Sequence, residues 1–194
     1  MLNIFKKRSI LDDLRLTEKQ LTRIVDENPN LRGMLVGYAA EHHFRKHLER
    51  KLSVESIKDD DHDRSKKGDR RFYYNNKEYK IEVKSIQTNS VRNVNGKLVG
   101  KAQVDASDKR RIELPNGSTI KTTCLLRDEF DILAINLYPL TRKWEFAFIR
   151  NEDIPQNTYA KYTSYQKRHL LPTSVKVELP LQEPFSKKLK DLLI

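Results

Sequence analysis

The chain has 194 residues, 37 % hydrophobic and 34 % charged, a balance too polar for a membrane protein and too rich in apolar positions for wholesale disorder. Lys and Arg number 38 against 27 Asp and Glu, and the net charge of +11 points to a polyanionic partner, with nucleic acid first and anionic membrane second. The single cysteine, Cys124, excludes an intramolecular disulfide and a zinc site of several thiolates, which fits a cytoplasmic setting. No signal-like or membrane-spanning apolar run is present either.

Thr17 and Gln20 have capping-box spacing ahead of Leu21, Ile24 and Val25, which predicts a first helix over 17–27 and a break at Asn28-Pro29-Asn30. Val36, Ala40, Phe44 and Leu48 recur every four residues and predict a longer helix from Leu31 to Arg50, thin at Gly37, Ala39 and Ala40 where it suits close packing on a sheet. Short strand-like runs follow at Val54–Ile57, Arg70–Tyr74, Glu78–Ser85, Lys101–Val104, Arg110–Leu114, Ser118–Cys124, Phe130–Tyr138 and Trp144–Arg150. Asn75-Asn76, Asn95-Gly96 and Asn116-Gly117 are turn dipeptides that tolerate positive φ, so hairpins are expected. Phe130–Tyr138 is continuously apolar, as in a central strand covered on both faces. Beyond Asn151 the chain is loop-rich and studded with prolines. The whole reads as one α+β domain: an N-terminal helical appendage over 1–30, a core over 31–150 and a C-terminal extension over 151–194.

A two-residue turn at Asn75-Asn76 pairs Tyr74 with Lys77 and, counting outward, Asp69 with Glu82. Cross-strand partners have Cβ atoms about 4.5–5.5 Å apart on one face, so two carboxylates come side by side, with Lys84 two residues on along that face. Tyr79, Ile81 and Val83 alternate on the opposite, core side, which leaves Glu82 and Lys84 on a polar one. Adjacent carboxylates repel unless a cation lies between them, and the oxygen-rich pair suits a hard divalent ion such as Mg²⁺. An ammonium beside such an ion holds or helps to deprotonate an attacking water, a layout for phosphodiester hydrolysis.

Asp69, twelve intervening residues, then Glu82-Val83-Lys84 resembles the PD-(D/E)xK nuclease superfamily, the restriction-endonuclease-like fold, over roughly residues 31 to 150. The resemblance implies a mixed α/β core, a central mixed β-sheet flanked by helices, with hairpins between Ser85 and Arg127 as insertions. It implies Mg²⁺ (or Mn²⁺) held by Asp69, Glu82 and the Val83 carbonyl. Glu41 stands where the family places a further helical Glu, and Gln87 where some branches place an extra polar residue. Glu78-Tyr79-Lys80 also has the Glu-x-Lys form, but the hairpin sets Glu78 opposite Tyr73 and not opposite an aspartate. Asp63 is a second choice for the motif aspartate.

Lys66, Lys67, Arg70 and Arg71 flank the proposed site, and Gln103 with Lys109, Arg110 and Arg111 adds a further basic segment; cations meet phosphates and Gln meets base edges. A turn capped by Asp108 is the competing account of that segment, and Tyr165–His169 is a weaker basic patch. His43 and His47 have the i, i+4 spacing of zinc ligands near Asp59-Asp60-Asp61-His62-Asp63, yet no third ligand has a definite place, and a solvated helix face beside an acidic loop is the expected account. Cys124, within Thr-Thr-Cys-Leu-Leu, reads as a buried small hydrophobe, and no glycine-rich phosphate loop is present. The expected function is a metal-dependent DNA endonuclease. A non-cutting nucleic-acid-binding module on the same fold and a DNA-repair or junction-resolving nuclease are the alternatives. Cutting both strands would call for a homodimer, since one such site cuts one strand at a time.

Overall fold

The computed structural model describes residues 9–58 and 68–193. The chain divides after Tyr38 into two compact units.

In the first unit, helix α1 (Ile10–Leu14) and helix α2 (Glu18–Glu27) each begin in a capping box, at Ser9 with Asp12 and at Thr17 with Gln20. The Thr17 N–H donates to Gln20 Oε1 at 2.8 Å and the Gln20 N–H donates back to Thr17 Oγ1 at 3.3 Å, so the expected helix start is the observed one. Five residues are too few to show periodicity, and α1 leaves no trace in the apolar pattern. Helix α3 spans Pro29–Leu52. Its first residue is the proline of the expected break, at the position where a missing N–H matters least.

In the second unit, the remainder of α3 covers one face of a four-stranded mixed sheet built from β1 (Arg70–Tyr74), β2 (Lys77–Ser85), β7 (Ile132–Asn136) and β8 (Phe146–Arg150), in the order β1-β2-β7-β8. Strands β2 and β7 run parallel, and both outer pairs are antiparallel. Ala40, Phe44 and Leu48, three of the four residues of the expected helical stripe, pack on Phe72, Ile81, Ile132, Ala134 and Phe148. The other face of this sheet, through Leu133, Ile135, Ala147 and Ile149, is closed by a second sheet of β3 (Arg92–Val94), β4 (Lys97–Gln103) and β9 (Ser174–Leu179), order β3-β4-β9. A third, two-stranded sheet pairs β5 (Arg110–Glu113) with β6 (Thr119–Thr122). The architecture is thus mixed α+β, a central mixed sheet with a flanking helix and two further antiparallel sheets.

All three expected turns carry the backbone they need: φ is 50° and 63° at Asn75 and Asn76, 51° and 80° at Asn95 and Gly96, and 78° at Gly117. Strand β7 is buried at every residue, as a central strand should be, but it stops at Asn136. There the Asn136 Oδ1 accepts the Tyr138 N–H at 3.0 Å and the short helix α4 (Tyr138–Thr141) begins. The expected strand at Val54–Ile57 is reduced to a single bridge between Ile57 and Arg71. Strand β9 lies in the stretch read as loop. Its signal was the alternation of Val175 and Val177, both buried, with Lys176 and Glu178. Helix α5 (Ser164–His169) carries the basic aromatic patch. The second sheet meets the end of β2 at Gly100, where a Cβ would lie 2.5 Å from Ile86 Cγ2, so only glycine lets the strands approach that closely.

Candidate active site

The hairpin register is the expected one: Tyr74 pairs with Lys77, Tyr73 with Glu78 and Arg70 with Ile81. Asp69 stands one residue before β1. Its N–H donates to the Ile81 carbonyl at 2.8 Å, and its Oδ2 accepts the Val83 N–H at 2.7 Å. The Asp69 carboxylate is thereby pinned onto the β2 backbone beside Glu82. Gly68 makes this possible. Its φ is +83° and a Cβ there would lie 3.2 Å from the Ile81 carbonyl oxygen, so the residue that delivers Asp69 has a conformation closed to proline and strained for any side chain.

Lys84 Nζ lies 2.6 Å from Glu82 Oε1. The pair shares the polar-patterned face of β2, yet Glu82 is only 7 % exposed. Its neighbours on β7 are Leu133 and, beside Lys84, Ile135, both in the core that the second sheet closes. Burial, and then the Asp69 charge, push the Glu82 carboxyl up to about 7 in spite of the Lys84 ion pair. Burial alone would weaken the Lys84 ammonium, but Glu82 first and Asp69 next outweigh it and hold Lys84 well above the ordinary lysine range. The charge of Glu41 adds to that field at Lys84.

Glu41, on α3, has its Oε2 2.9 Å from Lys58 Nζ. Among the described residues no three His, Cys, Asp or Glu side chains converge as a ready-made metal cage. What the hairpin brings together is a pair of carboxylates, Asp69 and Glu82, next to the Val83 peptide. A magnesium ion commonly keeps several waters and takes one or two protein carboxylates, so this donor set fits it in chemistry and number.

Other expected contacts fall out differently. Arg70 is buried, not turned to solvent: its Nη1 donates to Ser56 Oγ at 3.0 Å. Arg71 Nη1 lies 3.1 Å from Glu78 Oε1, which also accepts from the Tyr73 hydroxyl at 3.2 Å. Lys66, Lys67, His62 and the alternative Asp63 lie outside the described residues. Gln87 and Gln103 meet, the Gln87 Nε2 donating to Gln103 Oε1 at 2.9 Å. Lys109 and Arg111 are exposed, whereas Arg110 turns inward onto the buried Glu129. Glu129 was not anticipated. It also accepts the Leu126 N–H at 2.9 Å, and its charge is felt at Glu82, because the parallel pairing of β2 with β7 brings them together. His43 stacks on Trp144 with ring centres 4.1 Å apart, and His47 lies against Phe44, Phe146 and Phe148, so the i, i+4 spacing serves packing. Cys124 is buried, as expected.

No family model and no curated protein matches the chain. Among solved structures, the bacterial homing endonuclease I-Ssp6803I aligns over 80 % of this chain and 82 % of its own, with 15 % identity and a TM-score of 0.42. No helix among the described residues is long and apolar enough to cross a membrane.

Proposed function

We propose that the chain is a metal-dependent DNA endonuclease of the PD-(D/E)xK kind, hydrolysing phosphodiester bonds at Asp69, Glu82 and Lys84. The observation that carries the reading is the meeting of three groups on one hairpin: Asp69 locked to the Val83 amide at 2.7 Å, Glu82 beside it, and Lys84 2.6 Å from Glu82. A buried carboxylate, Glu82, raised toward neutrality by burial and then by the neighbouring charge of Asp69 is a costly arrangement for a fold and a useful one for binding a cation.

Asp69, Glu82 and the Val83 carbonyl would hold Mg²⁺ or Mn²⁺, which when bound supplies positive charge opposite a phosphoryl oxygen and lowers the pKa of a bound water. Lys84, held protonated by its carboxylate neighbours, donates hydrogen bonds and so orients the water and a phosphate oxygen. Displaced from Glu82, its ammonium stays within the field of Asp69 and Glu41. Glu41 assists through that field, and the Gln87–Gln103 pair stands three residues beyond Lys84 as a polar contact for the substrate. The +11 charge, with Lys109 and Arg111 on the surface, supports a nucleic-acid substrate.

Incubation with supercoiled, linear duplex and single-stranded DNA in Mg²⁺ or Mn²⁺ tests the reading. Cleavage should appear with the metal, vanish with EDTA and vanish in Lys84→Ala. Binding without cleavage on every substrate and metal would overturn the enzyme in favour of a non-cutting nucleic-acid-binding module.

A further inference from the structure

The second sheet has two unlike faces. Leu98, Ala102, Val175 and Val177 point inward and close the core. The pairings Arg92 with Val99, Val94 with Lys97, and Lys101 with Lys176 place four cations, Arg92, Lys97, Lys101 and Lys176, on the outer face. All four are exposed. One carboxylate, Glu178, shares this face. Its oxygens lie 2.6 Å from Lys97 Nζ and 3.3 Å from Lys176 Nζ, so it holds two ammonium groups in place and still leaves the face positive. Lys101 and Lys176 stand directly opposite each other across the ladder, where like charges repel. An anion laid over them converts that repulsion into attraction.

The dimensions suit an extended polyanion. From Lys97 to Gln103, β4 runs about 20 Å at about 3.3 Å per residue. Duplex DNA presents one phosphate for about every 1.7 Å of its axis, so roughly a dozen charges pass over that length. The face also leads to the catalytic hairpin. The Gln87 N–H donates to the Lys101 carbonyl at 2.9 Å and its side chain to Gln103, so the polar face is joined to β2 three residues after Lys84.

We propose that the outer face of the β3-β4-β9 sheet is the surface on which duplex DNA docks, with Arg92, Lys97, Lys101 and Lys176 meeting phosphates and the Gln87–Gln103 pair marking the end nearest Lys84. This rests on the nuclease reading for its choice of partner. None of the four cations belongs to the basic segments that the sequence singles out, because they are scattered over three strands and assemble only when the strands pair.

The test separates docking from cutting. Binding of a duplex is measured in EDTA as a function of salt for the full chain, for Arg92→Ala/Lys101→Ala/Lys176→Ala, and for a charge-matched triple variant in the C-terminal segment, Lys187→Ala/Lys188→Ala/Lys190→Ala. The sheet variant should flatten the plot of log affinity against log salt by about 2 to 3 units, at about 0.9 per lost phosphate contact, while the C-terminal variant changes it by less than one unit. Equal losses in the two variants would reduce the effect to net charge and overturn the proposal. So would an unchanged slope in the sheet variant, or a wild type that binds phosphatidylserine vesicles and not duplex. Lys84→Ala run in parallel keeps the two readings apart. A docking face that passes this test in a chain that never cleaves would sink the nuclease and keep the surface, and cleavage with an unaffected sheet variant would do the reverse.

Discussion

Glu82→Gln isolates the cost of an ionised carboxylate beside Asp69. The folded-state value of about 7 lies above the ordinary 4.5, so the metal-free protein binds this proton more tightly folded than unfolded. That contribution to stability is fully present below pH 4.5 and is lost as pH rises to about 7 and beyond. At about 1.4 kcal/mol for each pH unit between the two values, the loss is about 3 kcal/mol, or about 6–12 °C in Tm for a chain of this size. Two other effects must be set aside. Burial lowers the pKa of His43 and His47, so their contribution weakens as pH falls, the opposite slope in an overlapping window. Lys84, raised by its carboxylate neighbours, titrates far above this range and adds a constant. The histidine effect is common to wild type and variant, whereas Lys84 in the variant loses the charge of Glu82 and keeps those of Asp69 and Glu41. The quantity to measure is therefore the difference between the two stabilities, by urea unfolding in EDTA from pH 4.5 to 8. The wild type should lose about 3 kcal/mol relative to Glu82→Gln across that span. Millimolar Mg²⁺ should recover the loss above pH 7 in the wild type and leave the variant unmoved. A flat difference curve would refute the claim that burial and Asp69 burden Glu82.

Gly68→Ala strains a φ of +83° and crowds the Ile81 carbonyl, so it should lower stability by about 1 kcal/mol and weaken Mn²⁺ binding by displacing Asp69, read by calorimetry with Lys77→Ala as control. Gly100→Ala drives a methyl to 2.5 Å from Ile86 Cγ2 and should cost about 1–3 kcal/mol in denaturant unfolding, and a neutral result would mean the two sheets part more easily than the packing implies. Arg110→Met removes the cation that meets the buried Glu129 and should be destabilising by about 1–3 kcal/mol, whereas the neighbouring exposed Arg111→Ala should stay within about 0.5 kcal/mol; equal effects would contradict the inward turn of Arg110.

Local chemistry was legible because it needs only neighbours in the chain. Thr17 and Gln20 close their capping box over three residues, and two asparagines with positive φ set a register that carries outward to Asp69 and Glu82. The inward turn of Arg70 was missed, although its signal is local. It pairs with Ile81, whose side chain belongs to the core face, and the alternation that marked Ile81 as buried applies equally to its partner.

Burial of the site itself came from elsewhere. Glu82 reads as part of a polar face along its own strand and becomes buried because β7, some fifty residues on, pairs beside it in parallel and because β9, from a stretch that reads as loop, completes the sheet over Leu133 and Ile135. The same pairing brings Glu129 within the field of Glu82. The amino-acid sequence by itself determined which groups share a face, since turn geometry and the two-residue period of a strand are local. Only the tertiary structure decided how far those groups are removed from water, and so how strongly their charges act on one another, because the apolar surface that excludes the water comes from distant parts of the chain.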